Sequence, residues 1–413
     1  MRTGPPSPSR WWPAPRLGQI LLAGLLVVVS ACTDVSETST PTDAETTTTT
    51  VPATSEGIGR LAILDAEGNV AIVDPDGSNL ETITDDAGLT LYTQPLWSPD
   101  ASSLVWGRAA ESGFSVVLHD VADDESRAVT TANLPFYISW SPDGSRLGVL
   151  HNGDNGIDFN LVNVEGNTIM RVDNGAPYYF SWRPDGGLLV THVDAGRVEM
   201  IDPSGNRTPA AATGPAYLSP QWTKTGIFHV ADDALIVEDD SGNRDPIAEV
   251  EGLVMFVASP DGSRVALQTT GDEDAIEVGL AQTPAVSPGG VVVLDVSTGA
   301  VETVSDQPAL GFFWSSDGSS LLALIPGPDA LEPLVWRDGD LREYDGYIPP
   351  GTMLQDTFPF FPQYAQSVAF WAPDASAFAY AGAIDDEAGI WVQHLDAESP
   401  IKVAEGRWVT WSS

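Results

Sequence analysis

A short motif, Trp-Ser-Pro-Asp-Gly in its fullest form, recurs along this chain and constrains the fold more than any other feature. Complete or degraded copies begin at Trp97, Trp140, Trp182, Trp222, Ala258, Trp314, Trp371 and Trp411. Most copies are about forty residues apart, and short strand-like runs lie between them. A repeat of this length predicts a β-propeller, in which each blade is a four-stranded antiparallel sheet.

The residues of the motif have separate tasks, which the copy at Trp140 shows best. Trp140 offers a large apolar surface for packing against the next blade. Ser141, Pro142, Asp143 and Gly144 fit the successive positions of a type I turn, and the glycine can adopt positive φ. We therefore expect each copy to end the first strand of a blade and to lead into the second.

The two ends of the repeat region predict how the ring closes. Residues 60–84 supply strands two, three and four of a blade, whereas residues 407–413 supply only a first strand. If the C-terminal strand completes the first blade, no sheet edge stays open at the seam. Residues 58–413 are thus predicted to form an all-β, eight-bladed propeller. Seven blades is the alternative if the copy at Trp222 or Ala258 is not a true blade.

These motifs resemble the TolB-type propeller repeats, which are related to the propellers of prolyl oligopeptidases. The resemblance covers residues 60–413 and implies the fold rather than an activity. Three copies depart from the pattern. Trp222 is followed by Thr-Lys-Thr-Gly, Ala258 replaces the tryptophan, and Ser316 replaces the proline.

Residues 1–31 have the features of a bacterial export signal. Three arginines precede an apolar stretch, residues 20–31, that is too short to span a bilayer. The stretch ends in Val-Ser-Ala before Cys32, which resembles the lipobox of bacterial lipoproteins. Cys32 is the only cysteine, so no intramolecular disulfide can form, and its position predicts lipidation. A simple secretory signal with an incidental cysteine is the alternative.

Residues 32–57 are predicted to form a tether. The segment is rich in threonine and acidic residues and lacks the apolar side chains that a core would need. Together with a lipid on Cys32, it would hold the propeller close to the extracytoplasmic side of a bacterial membrane.

The charge of the chain limits its partners. It has 18 basic and 58 acidic residues, for a net charge of −40. Such a field repels phosphates, so we expect no nucleic-acid partner, and cations or basic protein surfaces are favoured. Adaptation to high salt or to a GC-rich genome explains the charge equally well, because Lys224 and Lys402 are the only lysines.

Catalytic motifs are missing from the sequence. It contains no Gly-x-Ser-x-Gly elbow, no His-Glu-x-x-His, no phosphate-binding loop, no dinucleotide fingerprint and no cysteine cluster. We therefore assign no catalytic residue and expect no required cofactor.

Three histidines indicate where a divalent metal could bind. His151, His192 and His229 fall near the ends of second strands in three successive blades, and acidic loops that include Asp194 and Asp232 follow them. Those loops would share the face opposite the motif turns. Imidazoles and carboxylates from adjacent blades could then meet at one metal. The alternative is that a histidine at this strand end is a structural feature of the repeat.

Two long connections are predicted to reach the same face. One contains the acidic run Asp272, Glu273 and Asp274. The other is aromatic and contains Tyr347, Phe358, Phe360, Phe361 and Tyr364. Loops on rigid scaffolds often carry function, so both are candidates for recognising a peptide or a sugar. The alternative for the aromatic segment is a self-packed cover over the channel mouth or a blade edge.

The expected function is that of a lipid-anchored binding scaffold at the bacterial cell envelope, with a protein or small-ligand partner. A metal-dependent hydrolase or lyase, with its site on the histidine-bearing face, is the alternative. Some lyases of acidic sugars have propellers that resemble this one in their repeats.

Overall fold

In the computed structural model, the repeat region folds as a ring of eight antiparallel sheets. The structure describes residues 58–194, 196–209, 218–231, 234–249, 253–269, 289–358 and 368–412. Seven sheets have four strands and one has three. The eight-bladed propeller predicted from the repeat is confirmed. The seven-blade alternative is wrong, because the copies at Trp222 and Ala258 each end the first strand of a separate four-stranded sheet.

The strands are short, and their order in each sheet follows the chain, except that the C-terminal strand completes blade 1. Blade 1 contains β1 (Leu61–Leu64), β2 (Val70–Val73), β3 (Glu81–Thr82) and the C-terminal β31 (Trp408–Trp411). Blade 2 contains β4 (Leu91–Trp97), β5 (Ser103–Ala110), β6 (Gly113–Asp120) and β7 (Glu125–Thr131). Blade 3 contains β8 (Pro135–Trp140), β9 (Arg146–Gly153), β10 (Gly156–Asn163) and β11 (Thr168–Gly175). Blade 4 contains β12 (Tyr178–Trp182), β13 (Leu189–Val193), β14 (Arg197–Ile201) and β15 (Arg207–Pro209).

The second half of the ring repeats this order. Blade 5 contains β16 (Gln221–Trp222), β17 (Ile227–Ala231), β18 (Ala234–Glu238) and β19 (Arg244–Glu249). Blade 6 contains β20 (Leu253–Ala258), β21 (Arg264–Thr269), β22 (Val291–Asp295) and β23 (Val301–Ser305). Blade 7 contains β24 (Gly311–Trp314), β25 (Ser320–Pro326), β26 (Leu331–Arg337) and β27 (Asp340–Glu343). Blade 8 contains β28 (Ala377–Ile384), β29 (Glu387–His394) and β30 (Ile401–Ala404), preceded by the short π-helix Met353–Thr357.

The ring closes through blade 1, as the two chain ends predict. β31 pairs antiparallel with β1, so that Trp411 lies opposite Leu61 and Trp408 opposite Leu64. The backbone N–H of Arg60 also donates to Ser412 Oγ at 2.9 Å. The seam is therefore a paired strand rather than an open edge.

Blade 8 keeps only a remnant of its first strand. Trp371 and Phe378 form an isolated antiparallel bridge, and Ala379 N donates to Phe370 O at 2.8 Å. Trp411 N donates to Ala369 O at 2.9 Å, which joins this remnant to blade 1.

The middle strands of the blades are apolar on both sides. Every residue of β1, β2 and β13 is buried, because each sheet is packed between its two neighbours. The fourth strands lie at the rim, and β3 and β27 are exposed along their whole length. The second strands therefore appear in the sequence as continuous apolar runs rather than as alternating ones.

The motif turns are closed by hydrogen bonds among their own residues. Ser141 Oγ donates to Asp143 Oδ1 at 2.6 Å and accepts from Arg146 N at 2.9 Å. Asp143 also accepts from the N–H and the hydroxyl of Ser145. Gly144 has a φ of +69°, which explains the glycine of the motif. The same Ser–Asp contact recurs in blades 2, 6 and 7.

The motif tryptophan also joins neighbouring blades by a hydrogen bond. Trp371 Nε1 donates to Phe313 O at 2.8 Å, and Trp314 Nε1 donates to Val257 O at 2.9 Å. In both cases the acceptor lies immediately before the motif position of the preceding blade. The sequence predicted apolar packing here, and the structure adds this polar contact.

Blade 6 has Ala258 in place of the motif tryptophan, and a glutamine of blade 5 joins the two blades instead. Gln221 Nε2 donates to Phe256 O at 2.7 Å, and Gln221 Oε1 accepts from Ala258 N at 2.8 Å. The first strand of blade 6 is thus bound by blade 5 through two hydrogen bonds, although Ala258 cannot supply an indole.

Candidate functional site

The ring has two faces that are formed by different connections. The motif face carries the turns between first and second strands and the hairpins between third and fourth strands, which in blade 2 are residues 98–102 and 121–124. The loop face carries the hairpins between second and third strands and the connections to the next blade, which in blade 2 are residues 111–112 and 132–134.

The two long connections begin and end at the loop face, as predicted. One joins β21 to β22, the second and third strands of blade 6. The other joins β27, the fourth strand of blade 7, to blade 8. Several predicted residues lie outside the described ranges: Cys32, Asp232, Asp272, Glu273, Asp274, Phe360, Phe361 and Tyr364.

The first part of the aromatic connection is integrated into the ring. Tyr347 is 1% exposed, and its ring centroid lies 4.2 Å from that of Tyr380. Its backbone forms an antiparallel bridge with Leu331 of blade 7, while Ile348 bridges Ala383 of blade 8. A Cβ on Gly382 would collide with the Tyr347 ring, so this close approach requires glycine.

Phe358 is also buried, as is Met353 in the short π-helix. Tyr347 and Phe358 therefore contribute to the core, which favours the self-packed alternative for these two residues. Ile348 and Leu354 are exposed on the same connection, at 55% and 46%. In the described part of this connection, the exposed large hydrophobic side chains are thus aliphatic rather than aromatic.

His151 is held within its own blade. Its Nδ1 lies 2.9 Å from Asn152 O, and its Nε2 lies 3.0 Å from the Nδ2 donor of Asn160. The neutral tautomer with hydrogen on Nδ1 satisfies both contacts. Neither ring nitrogen is then available to a metal.

His192 and His229 lie in adjacent blades and are both buried. His192 Nδ1 lies 2.8 Å from Leu218 O, and its Nε2 has no hydrogen-bond partner within the described ranges. His229 Nε2 lies 3.4 Å from Glu238 Oε2. Burial lowers the pKa of both imidazoles. The hydrogen bond to Leu218 O acts in the opposite direction on His192, and the Glu238 carboxylate does so on His229, but burial is the larger effect in both. Both histidines are therefore neutral at pH 7.

The described residues do not bring the predicted metal ligands together. Among them, no three His, Cys, Asp or Glu side chains form a group that could hold a metal ion. Asp194 instead accepts from Ala176 N at 2.8 Å, across the connection between blades 3 and 4. These residues alone do not fit a metal centre, and the contribution of Asp232 falls outside them.

A cavity of about 460 Å³ lies on the motif face, where the sequence predicted no site. It is located between blades 4 and 5 and is lined by Arg183, Pro184, Asp185, Trp222, Thr223, Lys224, Thr225, Gly226, Asp239, Asp240 and Ser241. The only indication of this cavity in the sequence is the departure from the motif after Trp222. That departure could have been interpreted as a site rather than as decay of the repeat.

The fold and its repeated turns define the class of protein, an eight-bladed β-propeller with Trp-Ser-Pro-Asp-Gly repeats. No family model matches the chain, and no curated protein matches it. Within the described part of the chain, no helix is long and apolar enough to span a membrane.

Solved structures of similar fold include two oligogalacturonate lyases. One, in complex with manganese, is 14% identical with a TM-score of 0.53, and the match covers 82% of this chain and 98% of that chain. The other, from Vibrio parahaemolyticus, is 13% identical with a TM-score of 0.50 and the same coverage. TolB from Acinetobacter baumannii is 17% identical with a TM-score of 0.40, over 70% of this chain and 64% of that one. At such identities the likeness to the two lyases shows the fold alone.

Proposed function

We propose that this protein is a lipid-anchored, extracytoplasmic binding scaffold whose protein partner docks on the loop face. The observation that carries the proposal is the asymmetry of the ring. Its two longest connections start and end on the loop face, whereas the motif face carries only short turns and hairpins. Loops that a rigid framework positions are the usual place for recognition.

The contacts at the bases of both connections support this role. The aromatic connection is fixed by the backbone bridges of Tyr347 and Ile348. Near the acidic connection, Gln268 Oε1 accepts from Ala309 N at 2.8 Å and ties β21 to the strand entering blade 7. A partner would therefore meet loops whose ends are already ordered, which lowers the entropic cost of binding.

The location is proposed from the leader. The basic and apolar segments before Cys32 support export, and the cysteine supports a lipid anchor. The net charge of −40 favours a partner with a basic surface. Metabolic labelling with an alkyne fatty acid tests the anchor, because Cys32→Ser should lose the label and move the protein to the soluble fraction.

Site-specific photocrosslinking in cells tests the docking face. A photoreactive residue replaces exposed Leu354 on the loop face or, as a matched control, exposed Ala122 on the motif face. We expect a discrete crosslinked protein from position 354 and none from position 122. Equal products from both positions, or none from position 354, would contradict docking on the loop face.

A metal-dependent lyase is the second candidate, and one observation favours it. His192 Nε2 and His229 Nδ1 are buried without hydrogen-bond partners in the described ranges. The manganese-bound oligogalacturonate lyase of similar fold suggests the substrate class to test. Elemental analysis should compare the mature protein with a His151→Ala/His192→Ala/His229→Ala variant. About one equivalent of metal lost in the variant, with cleavage of oligogalacturonate, would favour the lyase over the scaffold.

A further inference from the structure

The cavity on the motif face results from a shortened turn in blade 5. Trp222 pairs with Ile227, so only residues 223–226 lie between the first two strands. In blade 3, by contrast, residues 141–146 lie between Trp140 and Leu147. The turn of blade 5 therefore lacks two residues that the other motif turns contain.

Neighbouring motif turns normally touch, so a shorter turn leaves space. A Cβ on Gly186 of blade 4 would lie 2.8 Å from Asp143 Cγ of blade 3, and one on Gly318 of blade 7 would lie 3.4 Å from Ser259 of blade 6. On the blade 4 side of blade 5, the corresponding volume is the cavity of about 460 Å³. That volume falls in the usual range for small-ligand sites.

The cavity contains one cation that is already neutralised. Arg183 Nε lies 3.3 Å from Asp185, and its Nη2 lies 3.2 Å from Asp240. The guanidinium is also 5.7 Å from the ring centroid of Trp222, a buried indole at the base of the site. Arg183 is thus part of the wall and offers little free charge to a ligand.

Lys224 is the available cation. It is exposed, and none of the described carboxylates comes within 4.0 Å of its Nζ. The other lysine, Lys402, lies between Glu387 at 2.9 Å and Glu405 at 2.6 Å. The turn that carries Lys224 is anchored, since Thr225 Oγ1 donates to Asp261 O at 2.9 Å. The backbone of this lining residue is therefore fixed, while its side chain stays accessible.

The other charged residues of the lining are three aspartates. Asp185 and Asp240 share the single arginine of the lining, Arg183, whereas Asp239 has no cationic partner among the described residues. Asp239 Oδ1 accepts from Ser241 N at 2.8 Å and from Asn243 N at 2.9 Å, and its Oδ2 accepts from Asn243 Nδ2 at 2.8 Å, so that the carboxylate is fixed in place but keeps its negative charge. A simple anion would meet Lys224 but be repelled by the surplus carboxylates, and a simple cation would leave Lys224 without a partner.

We propose that this cavity binds a small zwitterion of amino-acid to dipeptide size. The ligand's carboxylate pairs with Lys224, and its ammonium lies among Asp185, Asp239 and Asp240. Such a molecule satisfies both signs of charge in the lining and carries no net charge into the strongly negative field of the protein. This site is independent of the docking proposed for the loop face.

The two lysines make a direct test simple. Reductive methylation with ¹³C-formaldehyde keeps the positive charge and gives one side-chain NMR resonance for Lys224 and one for Lys402, which Lys224→Arg assigns. Glycylglycine is then titrated alongside N-acetyl-glycylglycine and glycylglycinamide, each of which lacks one charge. We expect a saturable shift of the Lys224 resonance alone, with at least about tenfold weaker binding of both controls.

Calorimetry on the unmodified protein supplies matched variants. Lys224→Ala should weaken glycylglycine binding at least about tenfold, whereas Lys402→Ala should bind as the parent does. Replacing residues 223–226 by the six-residue turn 141–146 should fill the cavity and abolish binding while the ring stays folded. An unmoved Lys224 resonance, equal binding of the N-acetyl control, or unchanged binding after the turn replacement would each overturn the proposal.

Discussion

The hydrogen bond from the motif tryptophan to the preceding blade can be isolated with a single substitution. Trp371→Phe keeps an aromatic ring at a position that is 5% exposed but removes the donor to Phe313 O at 2.8 Å. A buried neutral hydrogen bond contributes about 0.5–1.5 kcal/mol, and an acceptor that loses its donor without gaining water can cost about 3 kcal/mol. The smaller ring adds a packing cost of its own.

A matched substitution in the same repeat position separates the two costs. Trp97 is 7% exposed, and its Nε1 has no hydrogen-bond partner in the described ranges. Trp97→Phe therefore removes the same atoms without breaking this contact. We expect Trp371→Phe to lower the free energy of unfolding by about 1–2 kcal/mol more than Trp97→Phe does. Trp314→Phe should behave like Trp371→Phe, because Trp314 Nε1 donates to Val257 O at 2.9 Å.

Urea unfolding followed by circular dichroism measures these differences, provided that the m-values of the variants agree with that of the parent protein. Equal destabilisation by Trp97→Phe and Trp371→Phe would refute the polar contact between blades. The tryptophan of the repeat would then act only through its apolar surface.

Three further predictions concern stability. Gln221→Ala removes two hydrogen bonds between blades 5 and 6 and should lower the free energy of unfolding in urea by about 2–4 kcal/mol. As a control, Gln307→Ala at an exposed position should lower it by less than about 0.5 kcal/mol. Burial lowers the pKa of His192 and His229 below that of an unfolded histidine, which is near 6.5. The free energy of unfolding should therefore fall as the pH drops below about 6.5, and it should fall less steeply in His192→Gln. The pKa of Asp143 is lowered, since hydrogen bonds from Ser141 and Ser145 outweigh its burial. Its stabilising contribution is therefore fully present above about pH 4 and decreases as the pH falls from there through the lowered pKa of the folded state. Asp143→Asn should accordingly destabilise the protein more at pH 7 than at pH 3.

The fold could be predicted because the repeat encodes it locally. Ser141, Asp143 and Gly144 close their turn by contacts within a few residues, so the motif alone specifies where each first strand ends. Strand number and ring closure then follow from the spacing and from the unpaired first and last strands of the repeat. These features need no knowledge of side-chain direction.

The histidine cluster shows what the sequence could not supply. His151 and His192 lie in second strands as predicted, but the direction of a strand side chain reverses with each one-residue change of register. β9 pairs with β10 in a continuous register that places His151 opposite Asp158, so the side chains of His151 and Asn160 lie on the same face of blade 3. His151 consequently contacts Asn160 of its own blade instead of a neighbouring histidine.

The sequence does not predict the motif-face cavity, because a short turn resembles decay of the repeat. The short turn is visible in the sequence as the shortest spacing between two copies of the motif, from Trp222 to Ala258. Sequence alone gives that spacing but not whether neighbouring turns close over the missing residues. The turns of blades 3 and 4 are so close that a Cβ on Gly186 would lie 2.8 Å from Asp143 Cγ.

Two departures from the repeat lie in consecutive blades, and the structure treats them differently. The missing tryptophan at Ala258 is compensated by Gln221, which binds the strand from both of its amide atoms. The missing turn residues after Trp222 are not compensated, and the space holds the unpaired charge of Lys224. If the shortened turn were only a tolerated defect, restoring the six-residue turn 141–146 should raise stability without any effect on ligand binding. We expect the restored turn to raise the urea midpoint, because it adds the Ser–Asp contacts of the other blades and fills the cavity. If the restored turn gains stability and loses zwitterion binding, the native turn is less well packed than the other motif turns because it forms a binding site.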